Sequence, residues 1–199
     1  MENYKHPEQR KGSDLYNMQL MKWLIARGFL PKDKNANILD LGSGKGYFYF
    51  ALKEMGYKNL HAVDLFPQFK ECIKGNIAKR LSFKNNTFDI ILSRDVAEHI
   101  AEHDKFFLEQ KRILKKGGII IVMTPNAEKM SIGEFYEDYT HVMPYTRKSL
   151  HEALSMHGFS RINVKRLRAI PYLWRYSIRA FDCLFSRRKN NLLGIAQKI

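Results

Sequence analysis

The chain has 199 residues, of which 45% are hydrophobic and 27% are charged, a balance typical of a globular domain rather than a disordered segment. Its longest apolar stretch, Ile119–Met123, is far shorter than the roughly 20 residues of a membrane-spanning helix, and its first residues lack a signal-peptide core. The two cysteines, Cys72 and Cys183, have the spacing of neither a metal site nor a disulfide framework. We therefore expect a cytoplasmic protein with a single domain over residues 1–199.

The net charge of +14 is concentrated near the C-terminus. Residues 160–199 contain ten Lys or Arg and one acid, Asp182, and so carry +9 of that charge. Such asymmetry indicates an anionic partner, which could be nucleic acid, acidic lipid or a phosphorylated substrate.

Helices and strands alternate along the predicted chain. After a mobile arm over residues 1–12, a first helix is expected to begin at a cap on Ser13 or Asp14 and to stop at Gly28. The other expected helices are Tyr47–Met55, Glu102–Leu114 and Lys148–His157, and the expected strands are Ile38–Leu41, Leu60–Val63, Phe88–Leu92, Ile119–Met123 and Ser160–Leu167. Lys116–Gly118 is expected to be a turn, and residues 124–147 are expected to be irregular. Such alternation predicts a parallel sheet that is covered on both faces.

A glycine-rich loop follows the first of these strands and opens the next helix. Gly42, Gly44 and Gly46 allow the backbone to turn sharply and to approach a ligand. The spacing differs from the G-x-G-x-x-G of dinucleotide sites, and Asp40 before the loop would repel a pyrophosphate but can meet a cationic amino group. Asp64 ends the next strand, where an acid can accept hydrogen bonds from both ribose hydroxyls. A turn without a ligand and a helix-capping acid are the simpler interpretations of these residues.

Four motifs, in this order, resemble those of class I S-adenosylmethionine (SAM)-dependent methyltransferases. Ile38–Gly46 is similar to their motif I and Ala62–Leu65 to motif II, while Asn86–Ser93 resembles the fourth-strand motif and Glu109–Gly118 the turn before the fifth strand. The likeness covers roughly residues 36–165 and extends to the ubiquinone-biosynthesis-like small-molecule methyltransferases. It implies a Rossmann-like α/β fold with a mostly parallel seven-stranded sheet, an antiparallel last strand and helices on both faces.

The resemblance also implies a site for SAM and for its product S-adenosylhomocysteine. The three loop glycines would pass beside the methionine part, Asp64 would hold the ribose, and Asn76 and Ile77 would lie at the adenine. The full set of expected cofactor-binding residues is Asp40, Gly42, Ser43, Gly44, Gly46, Asp64, Leu65, Asn76, Ile77 and Ser93. Only twelve positions separate Asp64 from Asn76. Because this is too short for a full helix and a third strand, we predict a loop or single turn at Phe66–Phe69.

Methyl transfer is an in-line displacement, and methylation of a hydroxyl also requires removal of a proton. The segment Asp138–Thr146 resembles a loop of small-molecule methyltransferases, and we predict His141 within it as the base, with loop ordering as the alternative role. We also expect His99 to face the methyl donor. Asp95, Glu98 and His99 resemble an acid-x-x-Glu-His pattern that can hold a divalent cation in ubiquinone-type enzymes. Asp at the first position departs from that pattern, and Asp95 with Glu98 also fits a capping box, so we expect no metal.

A basic insertion is predicted before the last strand. Leu192–Lys198 resembles that strand in class I enzymes, and residues 170–189 precede it. One helical face of the insertion is apolar, with Trp174, Ile178, Phe181, Leu184 and Phe185. Arginines on the other face suit an anionic membrane surface. The alternatives are packing on the protein's own sheet or in a homodimer, and binding of RNA.

The predicted function is methyl transfer from SAM to an oxygen, or less readily a nitrogen, of a small-molecule, lipid-linked or saccharide acceptor. We expect the enzyme in the cytoplasm, with peripheral attachment to a membrane through residues 170–189. An RNA methyltransferase and a non-catalytic SAM-binding regulator are the alternatives. Ser93–Val96 lacks the N/D-P-P-Y/F tetrad of enzymes that methylate the amino groups of bases, which disfavours that activity.

Overall fold

A computed structural model describes residues 11–167 and 191–199. The helices are α1 (Lys11–Ala26), α2 (Tyr47–Glu54), α3 (His103–Ile113), α4 (Ile132–Phe135) and α5 (Arg147–Met156). The strands are β1 (Asn37–Leu41), β2 (Asn59–Asp64), β3 (Cys72–Lys74), β4 (Phe88–Arg94), β5 (Leu114–Pro125), β6 (Phe159–Arg166) and β7 (Asn191–Lys198). Two single turns of 3₁₀ helix occupy Ala97–His99 and Ala127–Lys129. No helix in these two ranges is long and apolar enough to cross a membrane.

The strands form one seven-stranded sheet in the order β3-β2-β1-β4-β5-β7-β6. β1 to β5 are mutually parallel, and β7 is antiparallel to both of its neighbours. This arrangement confirms the predicted fold class, including the antiparallel last strand. The strand order runs outward in one direction from β1 to β3 and in the other direction from β4, so a topological switch point lies between the neighbouring strands β1 and β4. Open α/β sheets bind ligands at the carboxyl ends of the strands at such a point.

Alternating side chains of the central strands enter two separate hydrophobic layers. Ile90 packs in the layer that also contains apolar residues of α1 and α2. Its neighbour Ile91 packs in the layer that contains Phe106 and Phe107 of α3 and apolar residues of α5. The sheet is therefore buried on both faces, which explains why its central strands read as nearly continuous hydrophobic runs.

The first helix begins earlier than expected and stops where expected. Because α1 already includes Lys11, the predicted cap at Ser13 or Asp14 is wrong, and Lys11 and Gly12 belong to the helix rather than to the arm. Serine and aspartate are tolerated in the first turn of a helix as well as at its cap, so these residues marked the region but not the boundary. The rest of the predicted arm, residues 1–10, lies outside the described residues. At the other end, Gly28 has φ +73°, and its N–H donates to the carbonyl of Ile25.

The predicted turn at Lys116–Gly118 is an irregularity inside β5 instead. Phe88 pairs with Leu114, but Ile90 pairs with Ile119, so β5 carries extra residues opposite β4. Gly117 has φ +75°, a conformation that lets the strand bulge without ending.

Two connections near the carboxyl edge of the sheet position the site. Residues 65–71 contain no helix and lead directly to the three-residue strand β3, which confirms the predicted loop. β6 ends and β7 begins at the carboxyl edge, because Arg166 pairs with Leu192 and Asn191 pairs with Pro125 of β5. The predicted insertion at 170–189 lies outside the described residues, but both of its connections to the sheet are at this edge.

Candidate active site

A cavity of about 540 Å³ lies at the carboxyl ends of β1, β2 and β4. Three parts of the chain form its wall, in this order: β1 with the loop and helix start that follow it, the segments after β2 and β3, and the end of β4 with the loops beside it. These residues are Asp40, Gly42, Ser43, Gly44, Lys45, Tyr47 and Phe48; Asp64, Leu65, Phe66, Asn76 and Ile77; and Arg94, Asp95, Val96, His99, Ile100 and Thr140. The cavity therefore brings together most of the cofactor residues predicted from sequence and one of the two predicted catalytic histidines.

The three loop glycines have different physical roles. Gly42 has φ +72°, and a Cβ there would lie 2.3 Å from Cγ2 of Val96, so this position cannot hold a side chain without displacing the loop after β4. Gly44 also has a positive φ, +49°, but a Cβ there would meet nothing within 4 Å. Gly46 does not line the cavity. Because Gly46 has no side chain, the start of α2 can pack against the rings of Phe50 and Phe69; a Cβ at Gly46 would lie 2.8 Å from atoms of both rings.

Asp64 joins the glycine loop to the end of β2. One carboxylate oxygen accepts the N–H of Gly44 at 2.8 Å, and the other accepts the N–H of Phe66 at 2.8 Å. A carboxylate can accept about four hydrogen bonds, so Asp64 has capacity for ligand hydroxyls in addition to these two. At the far end of the cavity, Asn76 and Ile77 form the wall, and Asn76 holds its own turn by accepting the N–H of Ala78 at 2.9 Å.

Asp40 is a buried acid in the cavity wall. One of its oxygens accepts the N–H of Tyr49 at 3.1 Å. Burial raises the pKa of this carboxyl to about 7, although the nearby charge of Arg94 acts in the opposite direction. Ser93, which was also predicted to bind the cofactor, is buried beneath the cavity and is not part of its wall.

A hydrogen-bonded relay fixes the orientation of His99. The hydroxyl of Thr140 lies 2.6 Å from Oδ1 of Asp138 and donates to it, because a carboxylate can only accept. The same hydroxyl oxygen lies 2.8 Å from Nδ1 of His99 and must accept from it, because its one hydrogen is already used. Nδ1 of His99 thus carries a proton, and in the neutral imidazole the lone pair is on Nε2. The hydrogen bonds from Thr140 also hold the pKa of Asp138 below its ordinary value.

His141 also donates a hydrogen bond from Nδ1, but to a backbone carbonyl. Its Nδ1 lies 2.7 Å from the carbonyl oxygen of Phe135, to which it must donate. Its ring centroid is 4.7 Å from that of His99. His141 does not line the cavity but lies directly behind His99, so the structure places His99 rather than His141 at the wall. Two imidazoles therefore lie side by side, and each donates a hydrogen bond from Nδ1.

Glu98 is fully buried beside the two histidines. One of its oxygens accepts from the hydroxyl of Thr124 at 2.9 Å, while the other has no hydrogen-bond partner among the described residues. Burial, with a smaller contribution from the charge of Asp95, raises the pKa of Glu98 to about 8. Its carbonyl oxygen accepts the N–H groups of Val142 and Met143, and so ties the histidine loop to this site.

The predicted capping box at Asp95 and Glu98 is wrong. The turn Ala97–His99 is 3₁₀ and has no side-chain cap. Asp95 has φ +54°, and its side chain accepts from Asn191 at 3.0 Å, while Glu98 is drawn into the interior. Ligand atoms of Glu98, His99 and His141 lie within 4.8 Å of one another, a group that could hold a metal ion. The sequence pattern predicted Asp95, Glu98 and His99 as the metal-ligand candidates instead, because the order of residues does not show that these two loops meet.

The fold, the glycine loop and the acid at the end of β2 together define a class I methyltransferase domain. Residues 14–164 match the family model described as a methyltransferase domain. The chain is 34% identical over 140 residues to an uncharacterised protein of Methanocaldococcus jannaschii, covering 68% of this chain and 57% of that protein. It is 27% identical over 135 residues to a ubiquinone biosynthesis O-methyltransferase of Bartonella quintana, covering 60% of this chain and 53% of that enzyme. The chain belongs to the SAM-dependent class I methyltransferase family.

A solved structure has the same architecture. The SAM-dependent methyltransferase of Archaeoglobus fulgidus has a TM-score of 0.68 and 19% sequence identity, with 96% of this chain and 100% of that chain covered. At this identity the likeness supports the fold alone. The chain spans 56% to 66% of the length of the first four curated relatives that it matches.

Proposed function

We propose that this protein transfers the methyl group of SAM to an oxygen of a small-molecule or lipid-linked acceptor, and that His99 removes the acceptor proton. The observation that carries this proposal is the relay from Asp138 through Thr140 to His99, a residue of the cavity wall. Because the relay occupies Nδ1, the neutral imidazole has its lone pair on Nε2. A lone pair at this position is what a general base requires.

The relay suits a hydroxyl better than an amine. A neutral hydroxyl is a weak nucleophile until its proton leaves, whereas a neutral amine already has a reactive lone pair. In the proposed step the acceptor oxygen attacks the methyl carbon, the carbon–sulfur bond breaks, and its electron pair returns to sulfur to give S-adenosylhomocysteine. The hydroxyl proton moves to Nε2 of His99, and the resulting imidazolium is stabilised through Thr140 by the charge of Asp138.

Glu98, His99 and His141 also fit a divalent cation. Both histidines donate Nδ1–H to an oxygen, as metal-bound histidines usually do, and Glu98 has a buried oxygen that lacks a hydrogen-bond partner among the described residues. These three residues would hold the ion, which when bound would act as a Lewis acid on the acceptor oxygen. If His99 removes the proton directly, His99→Gln should lose much more activity than His141→Gln. If both histidines hold a cation, the two variants should lose similar amounts of activity, and a chelator should inactivate the wild-type enzyme.

The surroundings of the relay favour an acceptor with an apolar part. The segment 132–142, which contains the wall residue Thr140, exposes four large side chains that are wholly or partly apolar. These are Ile132 (80% exposed), Tyr136 (50%), Tyr139 (92%) and Val142 (46%). Together they offer an apolar approach to a site whose reactive groups are polar.

We further propose that residues 170–189 attach the enzyme to an anionic membrane. Both ends of the connection that contains them leave the sheet at the cavity edge, where Asn191 contacts the wall residue Asp95 at 3.0 Å. Wild type should therefore co-sediment with phosphatidylglycerol vesicles at low salt and be released as salt screens the charge. Replacing Trp174 and Phe181 with Ser should weaken binding without unfolding the domain. A wild type that ignores these vesicles would contradict the membrane proposal.

The proposed reaction is tested by incubating the protein and cell extract with methyl-labelled SAM, followed by mass spectrometry of the small-molecule and lipid fractions. The expected result is label on an oxygen of a compound in one of these fractions, absent when His99→Gln replaces wild type. Label in RNA would favour the RNA methyltransferase. Tight SAM binding without any transfer would favour the non-catalytic regulator.

A further inference from the structure

Two cationic side chains lie over one tryptophan ring between α1 and β6. Nζ of Lys165 lies 4.5 Å from the ring centroid of Trp23 and 5.4 Å from that of Phe29, and Cζ of Arg27 lies 5.6 Å from the centroid of Trp23. The two rings lie 6.1 Å apart and pack against the hydrophobic layer that contains α1. Because this layer holds the rings, the rings in turn hold the two cations beside each other. We call these four residues the α1–β6 patch.

The positive charge of the α1–β6 patch has no described counter-charge. No described carboxylate forms an ion pair with Arg27 or Lys165. Burial lowers the pKa of Lys165, and the charge of Arg27 acts in the same direction. Two like charges held beside apolar rings repel each other, so an anion that contacts both is stabilised by both. The patch therefore favours an anionic ligand.

The patch lies near the start of the connection that contains residues 170–189. Lys165 pairs with Leu193 near the carboxyl end of β6 and is two residues from Leu167, the last residue of the described range 11–167. Residues 168–190 contain six Lys or Arg and one acid, Asp182. The chain thus continues from the patch with charge of the same sign, and one anionic surface would attract both.

The phosphate of a lipid headgroup fits the patch better than a nucleic acid does. Proteins that hold single strands combine positive charge with aromatic rings on which bases stack. The ring of Trp23 is partly buried and already has two cations over it, so it offers no open face to a base. Lysine and tryptophan, each with an apolar body and a polar end, are suited to the boundary between water and lipid. The patch offers charge for a phosphate without a stacking surface.

We propose that the α1–β6 patch binds the phosphate of an anionic lipid headgroup through Arg27 and Lys165, and so forms a second membrane contact on the folded domain. This contact presupposes the membrane attachment proposed above, but neither SAM nor the acceptor. A single anchoring signal gives only marginal, reversible membrane binding, and stable attachment takes two. The insertion and the patch would supply these two signals from neighbouring parts of the chain.

The test is co-sedimentation of the full chain with phosphatidylglycerol vesicles at low salt. Arg27→Met and Lys165→Met should each weaken binding about fivefold, the factor expected for one basic residue at an anionic membrane. Lys148→Met is the matched control, because Lys148 is exposed on α5, which packs on the other face of the sheet. It should change binding by less than about twofold. With phosphatidylcholine vesicles, the two patch variants should behave as wild type does.

A second measurement reports on the patch itself. The chain has two tryptophans, so Trp174→Phe leaves Trp23 as the only one. Its fluorescence should change when phosphatidylglycerol vesicles are added and stay constant with phosphatidylcholine vesicles. If Lys165→Met does not fold, Arg27→Met and this fluorescence decide the question.

The outcomes separate the patch from the insertion. Patch variants that bind as tightly as wild type, while replacement of Trp174 and Phe181 by Ser weakens binding, would overturn the role of the patch and leave the insertion as the membrane contact. The opposite pattern would support the patch and contradict the insertion. A wild type that ignores phosphatidylglycerol vesicles would overturn both. If such a wild type instead binds an oligouridylate, and Arg27→Met and Lys165→Met weaken that binding, the patch is a nucleic-acid contact.

Discussion

The two halves of the cavity are built by different means. In the cofactor half, backbone groups make the important contacts, since the N–H of Gly44 donates to Asp64 and a Cβ at Gly42 would lie 2.3 Å from Cγ2 of Val96. In the proposed acceptor half, which surrounds His99 and Thr140, side chains hold one another through hydrogen bonds, as in the relay from Asp138 through Thr140 to His99. The cofactor half should therefore be sensitive to changes of backbone conformation, and the acceptor half to single changes of functional groups.

The largest effect is expected in the acceptor half. His99→Gln should lower turnover roughly 10²-fold or more, because glutamine cannot accept the proton, while affinity for S-adenosylhomocysteine stays nearly unchanged. Steady-state kinetics and calorimetry on the same preparations measure the two quantities. His151→Gln is the matched control, because His151 is exposed on α5 and outside the cavity wall, and should leave both unchanged. Full activity in His99→Gln would remove this residue from the mechanism.

The reverse pattern is expected at Asp64. Asp64→Ala should weaken SAM binding by about 1–3 kcal/mol, through loss of the proposed ribose hydrogen bonds and of the support that Asp64 gives to Gly44. Turnover at saturating SAM should change much less, because the acceptor half is untouched. Calorimetry that shows unaltered affinity would contradict the role of Asp64 in cofactor binding.

A pair of glycine variants separates steric clash from backbone strain. Gly44→Ala should cost about 1 kcal/mol of unfolding free energy for its positive φ alone, since a Cβ there meets open space. Gly42→Ala should cost roughly 1–3 kcal/mol more, because its Cβ also displaces Val96. Urea denaturation measures both, and adding Val96→Ala to Gly42→Ala should recover part of the loss. Equal costs for the two single variants would show that Val96 moves aside freely.

Glu98 should make the stability of the protein depend on pH. Its pKa is about 8 in the folded protein against an ordinary value of 4.5, so the folded state holds a proton that the unfolded state releases. The stabilisation is complete below about pH 4.5 and is lost as the pH rises to about 8. As the pH rises from about 5 to about 8, the unfolding free energy of wild type should therefore fall relative to that of Glu98→Gln. A constant difference across this range would show that Glu98 titrates normally.

The sequence predicted the cofactor half better than the acceptor half for a physical reason. Asp40 to Gly46 form one continuous strand and loop, so residue order alone places them, and Asp64 follows from the pairing of adjacent parallel strands. Glu98 and His141 meet only because two loops pack together, and the nearby pattern of Asp95 and Glu98 was mistaken for a helix cap. The wall residue Arg94 gave no signal, because one arginine at a strand end forms no motif, and its hydrogen-bond partner Asn17 lies on a distant helix.

The central claim is that the acceptor half holds two neighbouring imidazoles whose neutral form carries the proton on Nδ1. Two-bond proton–nitrogen correlation NMR at about pH 8 measures this directly on the whole protein, with His99→Gln and His141→Gln providing the assignments. The expected spectrum shows both rings protonated at Nδ1 only, and Thr140→Val should release His99 alone from that state. A wild-type spectrum in which His99 carries its proton on Nε2 would contradict the relay and the base proposed from it.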